Sequence, residues 1–434
     1  MTTPSEAPAA EASVTPLRRN RPYLLLMSGK TTQIVGEGIG VFAVPLVAFG
    51  LTHSVVLSGV IAAIGELGSL LAALPAGVVA DRVDRRRLLV GAAVGGLVLW
   101  AFAAVAGIGG WLTGWQLAAV LFGVSVVTAV FGAAETGAIR AVVAPGQMSA
   151  AMAAMQGRSA VASLVSGPVG GVLYAAAHAV PFAAGALGHA AVVVCTWLVR
   201  APLNGDLAAA RATHPVAQLR EGIRFYASLP VLRASLWLVM LINLTISGAM
   251  VAINLQLVRT HTAPLLIGLI DAVAGAVMLL GSVLAPLLLK RFPAGWLSVA
   301  GLGLVAASFI GMAVVHSYVG YVVLVGVGVL LIPAVNAGIG GYVAAIVPDA
   351  LQGRVSSVSS LGYLAVAPLA PVVASLLLAH AGIVPALWIF AAALAAGVIG
   401  ITFVRDVRGI GTPDTWGADA IEWPRPEASA QPAR

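Results

Sequence analysis

The chain has 434 residues, of which 60% are hydrophobic and 9% are charged, and its mean hydropathy is +1.01. Water-soluble folds have about a quarter of their residues charged and about half apolar, so this composition excludes the soluble classes of protein. The net charge of +7 comes from 23 basic and 16 acidic residues. The basic residues are spread over several segments instead of forming one stripe, which argues against a nucleic-acid partner.

Twelve apolar runs are long enough to cross a membrane, since about 20 apolar residues in a helix span the ~30 Å hydrocarbon layer. We therefore predict an all-α membrane protein with 12 transmembrane helices. The predicted spans are 22–50, 55–80, 86–109, 113–139, 148–176, 180–200, 232–257, 264–289, 295–315, 318–346, 355–379 and 383–404.

The longest polar interruption, residues 201–231, leaves six spans on each side and predicts a cytoplasmic linker that contains an amphipathic helix. The flanking bundles are predicted over 22–200 and 232–405. Short matches at a nearly constant offset, such as LTHS after the first span and RTHT after the seventh, indicate two pseudo-symmetric repeats. Residues 1–21 and 406–434 have the composition of disordered tails.

The orientation follows from the basic residues, because Lys and Arg are retained on the cytoplasmic side of the membrane. The segment from Asp81 to Arg87 holds four arginines and two aspartates in seven positions. With this segment inside and an even number of spans, Arg259 is the only basic residue in an outward loop. We therefore predict cytoplasmic termini and a multi-pass protein of the inner (cytoplasmic) membrane.

Several segments carry a family resemblance. Residues 77–89, GVVADRVDRRRLL, resemble the loop between helices 2 and 3 of the major facilitator superfamily. Residues 348–357, 221–233 and 150–171 resemble segments of its bacterial multidrug, macrolide and siderophore exporters. The resemblance implies a monomeric secondary active transporter that exports a small hydrophobic or amphipathic compound by alternating access in exchange for protons. Its partners would be this substrate, protons and membrane lipid; no cofactor, metal ion or enzymatic activity is expected.

Two alternatives follow from the same sequence. An importer or facilitator of a small metabolite on the same fold is the first, and a channel or non-transporting membrane scaffold is the second. The sequence has no GxxxxGK[ST] phosphate loop and no paired acidic clusters for a metal-bound diphosphate, which argues against an ATP-driven pump and a prenyltransferase.

Carboxylates within predicted spans are the candidates for coupling transport to protons. An ionised side chain there costs several kcal/mol, so it is usually paired, protonated or facing water, and burial favours the protonated form that a proton carrier needs. The candidates are Glu37, Glu66 and Asp271. Glu37 is the first, because the resemblance places helix 1 on the cavity wall.

Other polar side chains of the spans have different expected roles. Charges expected to act as gates or structural partners are Glu135, Arg140, Arg158 and Arg354. Polar groups expected to line the substrate cavity are Lys30, Asn243, Asn254, Gln256 and Asn336. His189 is expected to be a packed core histidine.

The signature segment is expected to form a conformational latch from Gly77, Asp81, Arg82, Arg85 and Arg86. Asp81 would meet the positive N-terminus of predicted helix 11, near Arg354, in the outward-open state, and Gly77 would allow close helix packing there. The alternative is a block of charge that only fixes topology.

In helix 5, the sequence SGPVGG predicts a kink at which a neighbouring helix approaches closely. The residues concerned are Gly167, Pro168, Gly170 and Gly171.

Overall fold

A computed structural model describes residues 16–204, 215–315, 317–403 and 408–419 of the chain. Within these ranges, twelve helical spans are long and apolar enough to cross a membrane. The predicted all-α membrane fold is therefore confirmed. The predicted tail residues 1–15 and 420–434, and linker residues 205–214, lie outside the described part.

The helices are numbered in chain order. The first six are α1 (Arg21–Thr52), α2 (Val55–Arg82), α3 (Arg85–Ile108), α4 (Gly114–Val142), α5 (Met148–Ala176) and α6 (Val180–Leu198). A linker helix, α7 (Pro215–Ser228), precedes α8 (Pro230–Arg259), α9 (Pro264–Arg291), α10 (Ala294–Val315), α11 (Tyr318–Val329), α12 (Ile332–Ile346), α13 (Asp349–Val366), α14 (Leu369–His380) and α15 (Ile383–Phe403).

Two spans of the second half are each built from two helices. The tenth span consists of α11 and α12, and the eleventh consists of α13 and α14. Pro333 lies in the first turn of α12, and Pro368 is the N-cap of α14. Proline has no N–H to donate and its ring clashes with the preceding turn, so each helix restarts at a proline instead of continuing through it.

The turns at one end of the two halves are alike in detail. His53 directly after α1 has φ 50°, and His261 after α8 has φ 56°. Few residues other than glycine adopt this left-handed conformation. It recurs at the two LTHS/RTHT segments, which supports the internal repeat at the level of the backbone.

The halves are in close contact at one end of the bundle. We call the end with the Asp81–Arg87 segment the arginine-rich end; at the opposite end, α2 packs on α14 and α5 packs on α9. A Cβ on Gly59 of α2 would lie 2.6 Å from the carbonyl oxygen of Pro371 in α14. Val55, Leu255 and Leu378 form an apolar cluster across the same boundary. The opposite end is therefore closed.

At the arginine-rich end, Asp84 begins α3 as its N-cap. One carboxylate oxygen accepts the Arg87 N–H at 2.9 Å, and the other accepts the side-chain N–H of Asn204 at 2.6 Å. The hydrogen bond from Asn204, and then that from Arg87, lowers the pKa of the Asp84 carboxyl. Its φ of −55° lies in a region that any residue adopts, so an N-cap with a side chain is accommodated here.

Arg85 attaches the same loop to its neighbours. Its guanidinium donates to the carbonyl oxygen of Leu203 at 3.1 Å and to that of Gly137 in α4 at 3.3 Å. The backbone N–H of Arg85 also donates to the side-chain oxygen of Asn204 at 2.9 Å. The loop is thus fixed to the start of the linker and to α4.

The predicted latch contact is not formed in this conformation. Asp81 is exposed and makes no ion pair with any described residue. Arg354 in the first turns of α13 pairs instead with Glu221 of α7, at 2.6 Å, and Gly222 of α7 lies against the Arg354 backbone. A Cβ on Gly77 would meet open space, so the close packing expected at Gly77 is absent here. The linker helix is therefore the element that Arg354 contacts in this conformation.

Part of the predicted C-terminal tail is ordered on the second half. Residues Pro413–Asp419 form a 3-10 helix whose Trp416 is 8% exposed and packs against Tyr342. The N–H groups of Ala294 and Gly295, which begin α10, donate to the carbonyl oxygens of Gly411 and Ile410 at 3.1 and 3.0 Å. The first amides of a helix have no partner within it, and the tail supplies one for two of them.

Replacing Asp84 by alanine is expected to destabilise the protein by about 0.5–2 kcal/mol, the usual loss for a helix N-cap. Because the pKa of Asp84 is lowered on folding, its contribution is present above the ordinary carboxyl range and is lost as the pH falls through the lowered pKa. Thermal unfolding in detergent measures both effects. Asp81→Ala, three residues away, is the matched control and should leave the unfolding temperature unchanged; an equal loss in both variants would contradict the capping role.

Candidate functional site

A chain of buried polar groups follows one face of α1. The Lys30 ammonium donates to the side-chain oxygen of Gln33 at 3.2 Å, and the Gln33 amide nitrogen lies 3.4 Å from a Glu37 carboxylate oxygen. Thr128 of α4 donates to the other Glu37 oxygen at 2.9 Å. Lys30 and Glu37 are therefore bridged by Gln33 instead of paired directly.

Both amide hydrogens and the amide oxygen of Gln33 take part in this network. Its oxygen accepts from Lys30, and its two amide hydrogens serve Glu37 and the Nε2 atom of His189, which lies 3.1 Å away. The Nδ1 atom of His189 is 3.0 Å from the carbonyl oxygen of Gly185, which can only accept. This network assigns the neutral His189 tautomer with the proton on Nδ1. His189 is 1% exposed and is the packed, hydrogen-bonded histidine expected from the sequence.

Lys30 differs from its expected role on a cavity wall. It is 7% exposed, and its ammonium lies 4.5 Å from the ring centroid of Phe131 in α4. Buried ammonium groups are stabilised over aromatic faces and by nearby carboxylates, and Lys30 interacts electrostatically with both Glu37 and Glu135. Lys30 is therefore part of the interior of the first half.

A second buried pair lies next to this chain. Arg158 of α5 and Glu135 of α4 are 2.8 Å apart, with side chains 7% and 4% exposed. Arg158 also contacts the sulfur of Met27 in α1, at 3.3 Å. Together, the buried Lys30, Arg158 and Glu135 and the half-buried Glu37 form a set with two groups of each sign. Arg140, the other cation expected near Glu135, is exposed.

The other two carboxylate candidates share a cavity of about 310 Å³ between the halves. Glu66 of α2 and Asp271 of α9 line it, together with Ser58, Ser125 and Asn254. The side-chain oxygen of Asn254 is buried and accepts no hydrogen bond from any described group. The structure thus separates the three proton-coupling candidates into one, Glu37, within the first half and two at the boundary.

The glycines of α5 make the close contact between the halves. A Cβ on Gly167 would lie 2.7 Å from the carbonyl oxygen of Gly268 in α9, and one on Gly171 would lie 2.7 Å from that of Pro264. Helix α5 continues through Pro168. The predicted close approach therefore occurs, and it is made backbone to backbone.

The same helix shapes the boundary cavity. A Cβ on Gly170 would lie 2.7 Å from the Phe42 ring, which lines the cavity, and one on Gly167 would lie 3.1 Å from the Cβ of Asp271. Small residues at these positions let Phe42 and Asp271 take their places on the wall.

A second cavity, of about 440 Å³, lies in the second half toward the arginine-rich end. Asn243 of α8 and Asn336 of α12, two of the residues expected on a cavity wall, line it with Gln352, Ser356 and Ser360 of α13. Its described wall carries hydroxyl, amide and aliphatic groups and no charged side chain. Gln256, also expected on a cavity wall, lines neither of these cavities.

Two polar residues of the Glu37 network, Gln33 and Thr128, were not identified by sequence reasoning. Gln33 lies three residues after Lys30 and four before Glu37, so all three share one face of a helix, and this spacing was the available signal. Thr128 has no such local pattern, because its partner lies on another helix.

Comparison with known proteins agrees with this architecture. The model of the Major Facilitator Superfamily matches residues 26–330. No curated relative matches the sequence.

Similar solved structures include a mutant of the nucleoside transporter NupG, with a TM-score of 0.71 and 12% identity, covering 87% of this chain and 98% of that one. A bacterial homologue of the iron transporter ferroportin in an inward-facing state has a TM-score of 0.67 and 15% identity, covering 89% and 99%. A D-xylose-proton symporter has a TM-score of 0.67 and 14% identity, covering 91% and 98%. At these identities the likeness is one of fold.

Replacing only one member of the Glu135–Arg158 pair should destabilise the protein more than replacing both members. Glu135→Ala and Arg158→Ala each leave a buried charge without its partner and are expected to cost about 3–5 kcal/mol, while the double variant should lose less than the two singles combined. Unfolding in mixed micelles measures this. The half-exposed Glu221–Arg354 pair is the control, with about 0–1 kcal/mol expected for Glu221→Ala. Strict additivity of the two buried variants would show that they do not act as a pair.

Gly167→Ala is expected to destabilise the contact between the halves, because the new methyl group would meet the backbone oxygen of Gly268. Gly157, in the same helix, has open space where a Cβ would be, so Gly157→Ala should be neutral or stabilising by up to about 1 kcal/mol. Melting temperatures of the two variants test this, and similar values for both would refute the tight contact.

Proposed function

Because the chain belongs to the Major Facilitator Superfamily, we propose that this membrane transporter exports a small hydrophobic or amphipathic compound from the cytoplasm in exchange for protons. The mechanism is alternating access, in which two halves rock about a site near the middle of the membrane. Glu37 is the group that links proton movement to this rocking.

The observation that carries the proposal is the environment of Glu37. Glu37 lies at the middle of α1 and is half-buried, while Gln33, Lys30 and His189 behind it are buried. It is thus the least buried titratable member of the chain, and we assign the proton exchange to it for that reason. A proton on Glu37 would change the set of four charged groups in the first half from two charges of each sign to an excess of one positive charge.

Protonation of Glu37 would also weaken contacts that hold three helices together. Glu37 is held by Gln33 on its own helix and by Thr128 on α4, and Gln33 reaches His189 on α6. Neutralising the carboxylate removes its attraction for Lys30 and weakens the charge-assisted hydrogen bonds to Gln33 and Thr128. A ligand or proton that interacts differently with two conformations shifts their populations, and these contacts join the three helices concerned.

The conformation suits loading from the cytoplasm. The positive-inside rule places the arginine-rich end in the cytoplasm, so the closed opposite end would face outward. A similar structure is described as inward-facing. In the outward-open state, α2 would separate from α14 and α5 from α9, and Asp81 would reach the N-terminus of α13.

The proposed direction rests on the exporter-like SGPVGG segment of α5, which forms the contact between the halves. A symporter of D-xylose and protons has the same fold, so the test must also report direction.

Glu37→Gln is expected to abolish transport driven by a pH gradient in proteoliposomes while leaving the protein folded, because glutamine keeps an acceptor for Thr128 but carries no titratable proton. The substrate would first be selected from a panel of antibiotics, dyes and siderophores by susceptibility of cells with and without the gene. Glu221→Gln on the linker helix is the control and should transport normally. Full gradient-driven transport by Glu37→Gln would remove Glu37 from the mechanism, and substrate movement with the protons instead of against them would replace the exporter by a symporter.

A further inference from the structure

We propose that the cavity between the halves binds an organic cation with an apolar body, through Glu66 and Asp271. This inference rests on the proposed transport function and names the class of its substrate. It follows from the charge, the unused hydrogen-bonding capacity and the size of the cavity.

The charge of the wall has one sign. Glu66 comes from α2 and Asp271 from α9, so each half supplies one carboxyl group. No lysine, arginine or histidine lines the cavity, and neither carboxyl group is in an ion pair with a described residue. By contrast, the charges inside the first half, Lys30, Arg158, Glu37 and Glu135, balance among themselves. When its carboxyl groups are ionised, the boundary cavity is therefore the place where a positive ligand charge would balance them.

A third polar group on the wall, the side-chain oxygen of Asn254, is able to accept a hydrogen bond that no described residue donates. The side-chain oxygen of Asn254 in α8 is buried without a hydrogen-bond donor among the described residues. A buried polar atom without a partner is costly, and a ligand that carries a donor would satisfy it. The hydroxyl groups of Ser58 and Ser125 add further acceptors on the same wall. A protonated amine with a free N–H would supply both the charge and the donor.

The remainder of the wall determines the rest of the ligand. Apart from these groups it consists of aliphatic, proline and glycine residues and the Phe42 ring. Aromatic faces attract organic cations, and Gly170 leaves the space in which this ring lies. A volume of about 310 Å³ with a mostly apolar wall suits a small organic molecule, whereas a bare metal ion needs a compact set of oxygen ligands.

The cavity lies between contacts of the two halves that are expected to form and separate as the conformation changes. The α2–α14 and α5–α9 contacts flank it, and these are the contacts that separate when the opposite end opens. Separation would move Glu66 away from Asp271, because the two belong to different halves. A cation held by both carboxyl groups would thus favour the closed arrangement and be released more easily from the open one.

The test measures binding of a matched pair of probes to the purified full-length protein in detergent without an ion gradient. The probes are 1-methyl-4-phenylpyridinium, which carries a fixed positive charge, and 4-phenylpyridine, in buffer alkaline enough to keep it uncharged. We expect the wild-type protein to prefer the cation by about tenfold or more, corresponding to about 1.4 kcal/mol. Glu66→Gln and Asp271→Asn should each reduce this preference, and the double variant should bind both probes equally.

Three controls show whether a loss of binding comes from the missing carboxylate charge or from misfolding of the variant. Asp271→Glu keeps the charge and should retain most of the preference for the cation, and Glu221→Gln should bind as the wild type does. Each variant is also checked by its elution as a single species on size-exclusion chromatography.

Equal binding of the two probes by the wild-type protein, or an undiminished preference in the double variant, would overturn the inference. Stabilisation by sodium but not potassium that depends on Glu66 and Asp271, without binding of the organic cation, would overturn it in favour of an inorganic ion. Because binding is measured without a gradient, the result is independent of proton coupling at Glu37. A cation preference alongside full coupling in Glu37→Gln would reject only the proposed mechanism; lost coupling without a cation preference would reject only the inferred substrate class.

Discussion

A charge within a lipid bilayer must find its partner inside the protein, because hydrocarbon offers none. The carboxylates that lie deep within the spans, Glu37, Glu135, Glu66 and Asp271, differ in how they stand to this constraint. Glu37 and Glu135 lie in a network whose positive groups, Lys30 and Arg158, match them in number. Glu66 and Asp271 instead line a cavity whose wall contains no positive group. This difference is the basis on which we propose internal coupling for the first pair and ligand binding for the second.

The two halves repeat the same fold but not the same chemistry. Their matching turns at His53 and His261 show how far the backbone repeat extends. The charged interior described above belongs to the first half, while the cavity of about 440 Å³ in the second half is lined by uncharged polar groups around Asn243 and Asn336. In the mechanism proposed above, the first half would carry the proton, and the uncharged cavity of the second half would be free of that role.

Much of the fold could be predicted from the sequence because the membrane limits the choices: long apolar segments must be helices that satisfy their own backbone. The separate roles of the carboxylates could not be predicted to the same extent. Glu66 and Asp271 are 205 positions apart in the numbering, and only the packing of α2 and α9 places them on one wall. The Asp81 latch was expected from a state that this structure does not adopt, and the pairing of Arg354 with Glu221 depends on how the linker helix folds back. The spacing along helix α1 identified Lys30 and Glu37, but it could not show that the Thr128 hydroxyl on another helix donates to Glu37.

The contact of residues 408–419 with α10 makes this late segment a structural part of the second half. Gly411 and Ile410 supply acceptors to the first amides of α10, and Trp416 covers Gly341 of α12. Movements of α12 that accompany transport must therefore carry this segment along or detach it. Tags and fusion partners are best attached beyond Asp419, since a junction just after the last span would remove the acceptors on which the start of α10 depends.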